Sequence, residues 1–265
     1  MTAVNLSGKS GAVFAATGAV AGAVARKLAA CGARVHLSGR DGAATRAVAD
    51  GITKAGGFAT AAAVDALDDA AVSRALDEII ESDGKLDFVF NGIGMRCAEG
   101  RYALPAAQVG LADFLRPIEV IAGSQYLTSR AAALRMAGQG HGSIVTLSAS
   151  LNGIILPFMV NITAACAAIE AMTRGFAAEF GSVGVRVNCV RAAGMPDTRT
   201  IIETSQQMAM TMSMAEHHPS SGSGKAALGR PVTTAETAAM VAWLVSDGAS
   251  GITAQICNVC GGELI

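Results

Sequence analysis

Gly11-Ala-Val-Phe-Ala-Ala16 runs directly into Thr17-Gly18-Ala-Val-Ala21-Gly22. A short apolar run reads as a buried strand, and the small residues after it read as a turn opening a helix. Such a turn can hold a diphosphate if its residues are small for three separate reasons. The first permits a tight turn, the second a close backbone approach to the phosphates, and the third close packing of helix on strand. Ala15, Gly18 and Ala21 stand at these places, with Thr17 and Val20 between them. Alanine suits the third. At the first it suits only a turn that avoids positive φ, where a Cβ costs about 1 kcal/mol. Taken alone the signal is weak, since a purely structural turn can carry the same small residues; phosphate binding is the favoured reading.

Outward from this turn, strand-like runs alternate with helical patterns. Strands are expected at Gly11–Ala16, Arg34–Ser38, Phe58–Val64, Leu86–Phe90, Ser143–Leu147, Val185–Val190 and Ala254–Val259. Helices are expected at Val20–Cys31, Ala43–Ala55, Asp69–Ser82, Ala112–Ala137, Thr163–Phe180 and Thr234–Ser246. This alternation predicts an α/β fold: a Rossmann-type, doubly wound parallel sheet of about seven strands flanked by helices. No linker splits the chain, so residues 1–265 read as one dinucleotide-binding domain. One irregular stretch, Met195–Arg230, reads as a mobile substrate loop. The second strand ends Ser38-Gly39-Arg40. With no acid to accept the ribose hydroxyls, and a planar cation ready for a 2′-phosphate, NADP(H) is favoured over NAD(H). The reading that no cofactor binds stays open.

With 51% hydrophobic and 15% charged residues, the chain has ample material for a core and is not disordered. A formal net charge of −1, with no block of basic residues, argues against a nucleic-acid surface. No apolar run reaches the roughly 20 residues of a membrane span. No signal peptide is read in the first ten residues, so a cytoplasmic location is expected. The high apolar fraction points to further burial between subunits. Six cysteines at irregular spacing read as free thiols. Cys257 and Cys260 form a C-x-x-C, but in a strand they point to opposite faces, and no metal is expected.

Along nearly its whole length the sequence resembles the short-chain dehydrogenase/reductase family. Asp65 with Ala66 resembles the family's adenine-contacting segment, and Asn91-Gly92-Ile93-Gly94 its cofactor-lining Asn-Asn-Ala-Gly. Gly142-Ser-Ile-Val-Thr-Leu-Ser148 resembles the strand leading to the catalytic serine. Ala167–Arg174, Gly184–Asn188, Ala193-Gly194 with Thr198, and Gly251–Gly262 continue the match. The resemblance implies hydride transfer between NAD(P) and a carbonyl or alcohol carbon of a small molecule, and a homo-oligomer, usually a tetramer. It also implies an Asn-Ser-Tyr-Lys tetrad, in which Tyr and Lys share one helix face. Here the matched positions are Ile121, Ala149, Ile162 and Cys166. The only tyrosines are Tyr102 and Tyr126, and no lysine lies between Lys85 and Lys225, so no change of register restores the pair. For the serine, Ser148 and Ser150 flank Ala149 and are the candidate catalytic residues.

Weaker candidates for substitute chemistry are Cys166, Asn161 and Thr163, His141, His217 and His218, Arg96, and the alternating Met208, Met210, Met212 and Met214. Each has a plainer reading as core, cap or solvated surface. Three functions remain: an atypical NADP(H)-dependent oxidoreductase, a lyase or isomerase reusing the pocket, and a catalytically silent nucleotide-binding subunit partnering an active paralogue.

Overall fold

A computed structural model describes residues 4–214 and 226–263. Its strands are β1 (Ser10–Phe14), β2 (Arg34–Gly39), β3 (Phe58–Ala63), β4 (Phe88–Asn91), β5 (Gly142–Ala149), β6 (Val185–Ala192) and β7 (Ile256–Val259). They form one parallel sheet in the order β3-β2-β1-β4-β5-β6-β7. Between them run α1 (Ala19–Ala30), α2 (Gly42–Lys54), α3 (Asp69–Asp83), the short α4 (Cys97–Gly100), α5 (Leu111–Pro117), α6 (Gly123–Gln139), α7 (Val160–Phe180), α8 (Arg199–Met214) and α9 (Thr234–Leu244).

The alternation of side chains along each strand feeds two cores. On β1, Val13 joins a cluster with α1, α2 and α9, while Ala12 and Phe14 join one with α3, α6 and α7. Helices thus cover both faces, as a doubly wound sheet requires. The order of strand addition reverses between β1 and β4, which pair in parallel with Phe14 opposite Asn91. Ligands of such sheets sit in the crevice beyond the strand ends at this switch point.

Three expectations need correction. The helix expected over Ala112–Ala137 is broken, because Pro117 ends α5 and a π-helical turn, Ile118–Ala122, precedes α6. Proline lacks the N–H that the helical ladder needs, and π turns absorb such interruptions. Second, the stretch Met195–Arg230 is not wholly irregular, since it contains the sixteen-residue α8. Ser220–Gly224, His217 and His218 lie outside the described residues. Third, β5 and β6 run two residues further than expected, to Ala149 and Ala192, bringing Ser148 into register with Arg191. Among the described residues no helix is long and apolar enough to cross a membrane.

Candidate active site

On the β1 side of the switch point, Ala15 takes φ +60. The turn therefore does not avoid positive φ, and the alanine sits in the left-handed region that favours glycine. Thr17 and Gly18 are exposed, and Val20 is half-buried against the cluster of Ala192, Ala193 and Met195. Gly18 caps α1 without a side-chain hydrogen bond, and the first turn of the helix carries no acid. Its leading N–H groups are open to an anion. Ala21 meets Gly92 across the gap, where a Cβ at residue 92 would lie 2.8 Å from the Ala21 Cβ. The small residue needed for close packing is thus supplied from the β4 side.

Asn91 is buried, its amide donating to Thr128 Oγ1 at 2.9 Å and its Oδ1 accepting from Ile93 N at 2.8 Å. Asp65 is exposed and accepts from Leu67 N at 3.0 Å, while Ala66 is buried. At the end of β2, Gly39 does not leave free space: a Cβ there would meet Thr45 Oγ1 at 2.7 Å. Arg40 is exposed and makes no ion pair among the described residues. The neighbouring Asp41 carboxylate is committed to Ala44 N at the start of α2. Thr198 is buried, its hydroxyl donating to Met195 O at 2.8 Å.

Across the crevice, Ile121, Ala149, Ile162 and Cys166, the residues expected at the tetrad positions, carry no hydroxyl, carboxylate or ammonium on their side chains. Ile121 lies in the π turn and is 6% exposed. It packs in one cluster with Met95, Tyr102, Met159 and Ile162. Cys166 is buried on α7, and burial pushes its thiol up to about 11. Ser148 and Ala149 point to opposite sides of β5.

Below Cys166 lies a charged group that the sequence reading missed. Glu170, only 2% exposed, accepts from Ser148 Oγ at 2.8 Å, Asn152 Nδ2 at 2.8 Å and Arg191 Nε at 2.7 Å, and from Arg191 Nη2. Burial works to raise the carboxyl pKa, but the bonds from Arg191, Ser148 and Asn152 outweigh it and hold the group below the usual range. Ser148 is therefore engaged in the floor of the site. Ser150 is buried in the turn Ser150–Asn152. The signal available in the sequence was spacing: Ile162, Cys166 and Glu170 follow each other at intervals of four on one helix face.

The weaker candidates disperse. Asn161 is a buried clamp, donating to Gly100 O at 2.7 Å and Arg101 O at 3.2 Å. Thr163 N bonds Met159 O within the first turn of α7. His141 precedes β5, at the opposite end of the sheet, 3.4 Å from Asp87. Arg96 pairs with Glu203 of α8 at 2.8 Å. Of the methionines, Met208 packs inward while Met210 and Met214 are exposed. Tyr126 is exposed on α6 against Phe176. Cys257 and Cys260 are free thiols in separate apolar clusters.

A family model described as enoyl-(acyl carrier protein) reductase matches residues 15–263. A cis-4-hydroxycyclohexanecarboxylate dehydrogenase of Sinomonas cyclohexanicum is 30% identical over 253 residues, covering 94% of this chain and 95% of its own. A probable 2,4-dienoyl-CoA reductase of Bacillus subtilis is 28% identical over 246 residues, 91% of each chain. Among solved structures, a 7α-hydroxysteroid dehydrogenase complexed with NADH and 7-oxo glycochenodeoxycholic acid matches with a TM-score of 0.84. It covers 98% of this chain and 96% of its own at 24% identity, a likeness of fold. With the sheet order, the switch-point crevice and the family match extending over nearly the whole sequence, this chain belongs to the short-chain dehydrogenase/reductase family.

Proposed function

We propose that the chain is an NADP(H)-dependent oxidoreductase acting on a small, apolar carbonyl compound without the family's Tyr–Lys proton donor. The observation behind this is the contrast between the two walls of one crevice. On the nucleotide wall, the start of α1, without a side-chain cap, fits a diphosphate, and the exposed Arg40, in no ion pair among the described residues, fits a 2′-phosphate. On the reacting wall, Ile121 and Ile162 form hydrocarbon with Met95 and Met159. The named relatives, a dehydrogenase and a probable reductase, are similar over more than nine-tenths of the chain and support redox chemistry.

When bound, the reduced dinucleotide supplies a hydride. Thr17, Gly18 and Val20 would hold its diphosphate beside Ala15, and the planar guanidinium of Arg40 would hold the 2′-phosphate. Asp65 and Ala66 would border the adenine. Asn91, Gly92, Ile93 and Thr198 would line the nicotinamide end. Ile121 and Ile162 exclude water from the reacting face and orient an apolar substrate. Ser148 supports the floor through Glu170, and Ser150 stands at its rim. Loss of the general acid lowers the rate by about 10²–10⁴-fold relative to intact relatives.

Exposed Trp243 and Leu228 border a groove with Met240 and Val259, which supports burial against a second copy in a homo-oligomer. A second reading, a silent nucleotide-binding subunit partnering an active paralogue, is favoured by the same hydrocarbon at Ile121 and Ile162.

The test is calorimetric titration with NADP⁺ and NAD⁺, followed by NADPH oxidation against ketones, enones and imines. Tighter NADP⁺ binding with slow turnover is expected. Binding without turnover, with a tetrad-bearing dehydrogenase co-purifying, would favour the silent subunit. Binding of neither dinucleotide would sink both.

A further inference from the structure

Two buried side-chain oxygens among the described residues have no hydrogen-bond partner, Thr204 Oγ1 of α8 and the Tyr102 hydroxyl. Tyr102 is 4% exposed, and its hydroxyl is buried with no hydrogen-bond partner among the described residues. Buried phenols in folded proteins normally find a partner, because an unpaired one forfeits its hydration for nothing. A phenylalanine would fill the same space without that cost.

The local backbone holds this ring in place at some expense. Arg101 and Ala103, on either side, take φ +52 and +59, conformations that L-residues rarely adopt. The segment is clamped by side chains from three elements. Asn161 of α7 binds the carbonyls of Gly100 and Arg101, Cys97 of α4 donates to the Tyr102 carbonyl, and Thr211 of α8 donates to Ala103 O at 2.6 Å. Gly100 is where the phenol passes closest. A Cβ there would lie 2.3 Å from the ring and 2.7 Å from the hydroxyl oxygen. These contacts fix the position of a group that satisfies nothing within the described fold.

What the ring faces is informative. It packs in the cluster that contains Ile121, Ile162, Met95 and Met159, with Met208 of α8 beside them. Tyr102 and Cys97 also line a cleft of about 410 Å³ between α4 and α8, which the charged Arg96, Arg101 and Glu203 border as well, a size that takes a small organic molecule. Methionine side chains are flexible enough to admit one.

We propose that the Tyr102 hydroxyl is the hydrogen-bond donor for the oxygen of a small bound ketone. This deepens the carbonyl-substrate reading above and rests on it. Burial, followed by the nearby Cys166, drives the phenol pKa upward, so Tyr102 keeps its proton and acts as a neutral donor. It thus differs in role from a phenol that ionises beside a lysine.

The experiment uses the full chain carrying ¹³Cζ-labelled tyrosine. There are only two tyrosines, so Y102F assigns the spectrum at once. The probes are cyclohexanone and acetophenone, each paired with the analogue in which CH₂ replaces oxygen, methylenecyclohexane and α-methylstyrene. A ketone is expected to shift the Tyr102 resonance and to bind Y102F about ten-fold more weakly, the size of one hydrogen bond. The hydrocarbon analogues are expected to bind both proteins equally. Because the hydroxyl has no partner, Y102F is expected to melt at or above the temperature of the parent.

Three results would overturn the proposal: ketone binding that leaves the Tyr102 resonance unmoved, equal ketone affinity for Y102F, or no ketone binding at the highest soluble concentration. A Y102F melting point several degrees lower would also overturn it, by showing the hydroxyl to be satisfied inside the fold. NADPH oxidation run alongside separates the two readings. Ketone binding through Tyr102 without oxidation refutes the redox function alone, and oxidation with an unchanged KM in Y102F refutes the donor alone.

Discussion

Replacing Arg191 by leucine should strand a charge. Arg191 provides two of the four hydrogen bonds that Glu170 accepts, and at 2% exposure the carboxylate has no water to replace them. Two charge-assisted bonds at about 1.5–3 kcal/mol each agree with the roughly 3–5 kcal/mol lost when one partner of a buried pair is removed. For a chain of this length, that lowers Tm by about 6–10 °C. In the double variant Arg191→Leu with Glu170→Met, the Ser148 and Asn152 donors lose their acceptor, but no ion is left behind. It should therefore be about 2 kcal/mol more stable than the single variant. The pH dependence follows from the lowered pKa of Glu170. In the parent, the carboxylate's contribution is present above the unfolded value and is lost as pH falls through the lower folded one. Without Arg191, burial instead favours the protonated acid, so the gap between parent and variant should widen from acid to neutral pH. Urea unfolding followed by circular dichroism, at one protein concentration, measures the parent, the two single variants and the double variant. A cost below about 1 kcal/mol for the single variant, or a double variant as unstable as the summed singles, would refute the reasoning.

Arg40→Ala should weaken NADP⁺ binding by roughly 10- to 100-fold, the worth of charge-assisted bonds to one phosphate, and leave NAD⁺ almost unchanged in the same calorimeter. Ala15→Gly should stabilise the fold by about 1 kcal/mol, because φ +60 then carries no Cβ penalty; a lower Tm would contradict that. Gly92→Ala, with its Cβ 2.8 Å from that of Ala21, should cost about 1–3 kcal/mol. Adding Ala21→Gly should recover most of the loss in a double-mutant cycle.

The doubly wound parallel sheet of about seven strands was legible because apolar runs of strand length alternate with helical patterns. The interrupted helix was half legible: Pro117 stood within an otherwise helical pattern, yet the reading ran through it. α8 was hidden by composition. Its methionines alternate with small residues, a two-residue beat, while the buried positions are Thr204 and Thr211, two helical turns apart and both polar. The Glu170–Arg191 pair was invisible for a different reason. Its partners are 21 residues apart, and charged side chains on a helix and a strand end read as surface until the β5–β6 register brings Arg191 beside Ser148. Tyr102 was read only as a phenol in the wrong place. The positive φ values at Arg101 and Ala103 that aim it belong to residue types carrying no turn signal.

The Glu170–Arg191 pair also closes an easy route of reversion. An ammonium introduced at residue 166 would stand one helical turn from a carboxylate already claimed by a guanidinium, leaving two cations to contend for one anion. Grafting the missing phenol and amine onto α7 would therefore yield a strained hybrid unless residue 191 were neutralised in the same step.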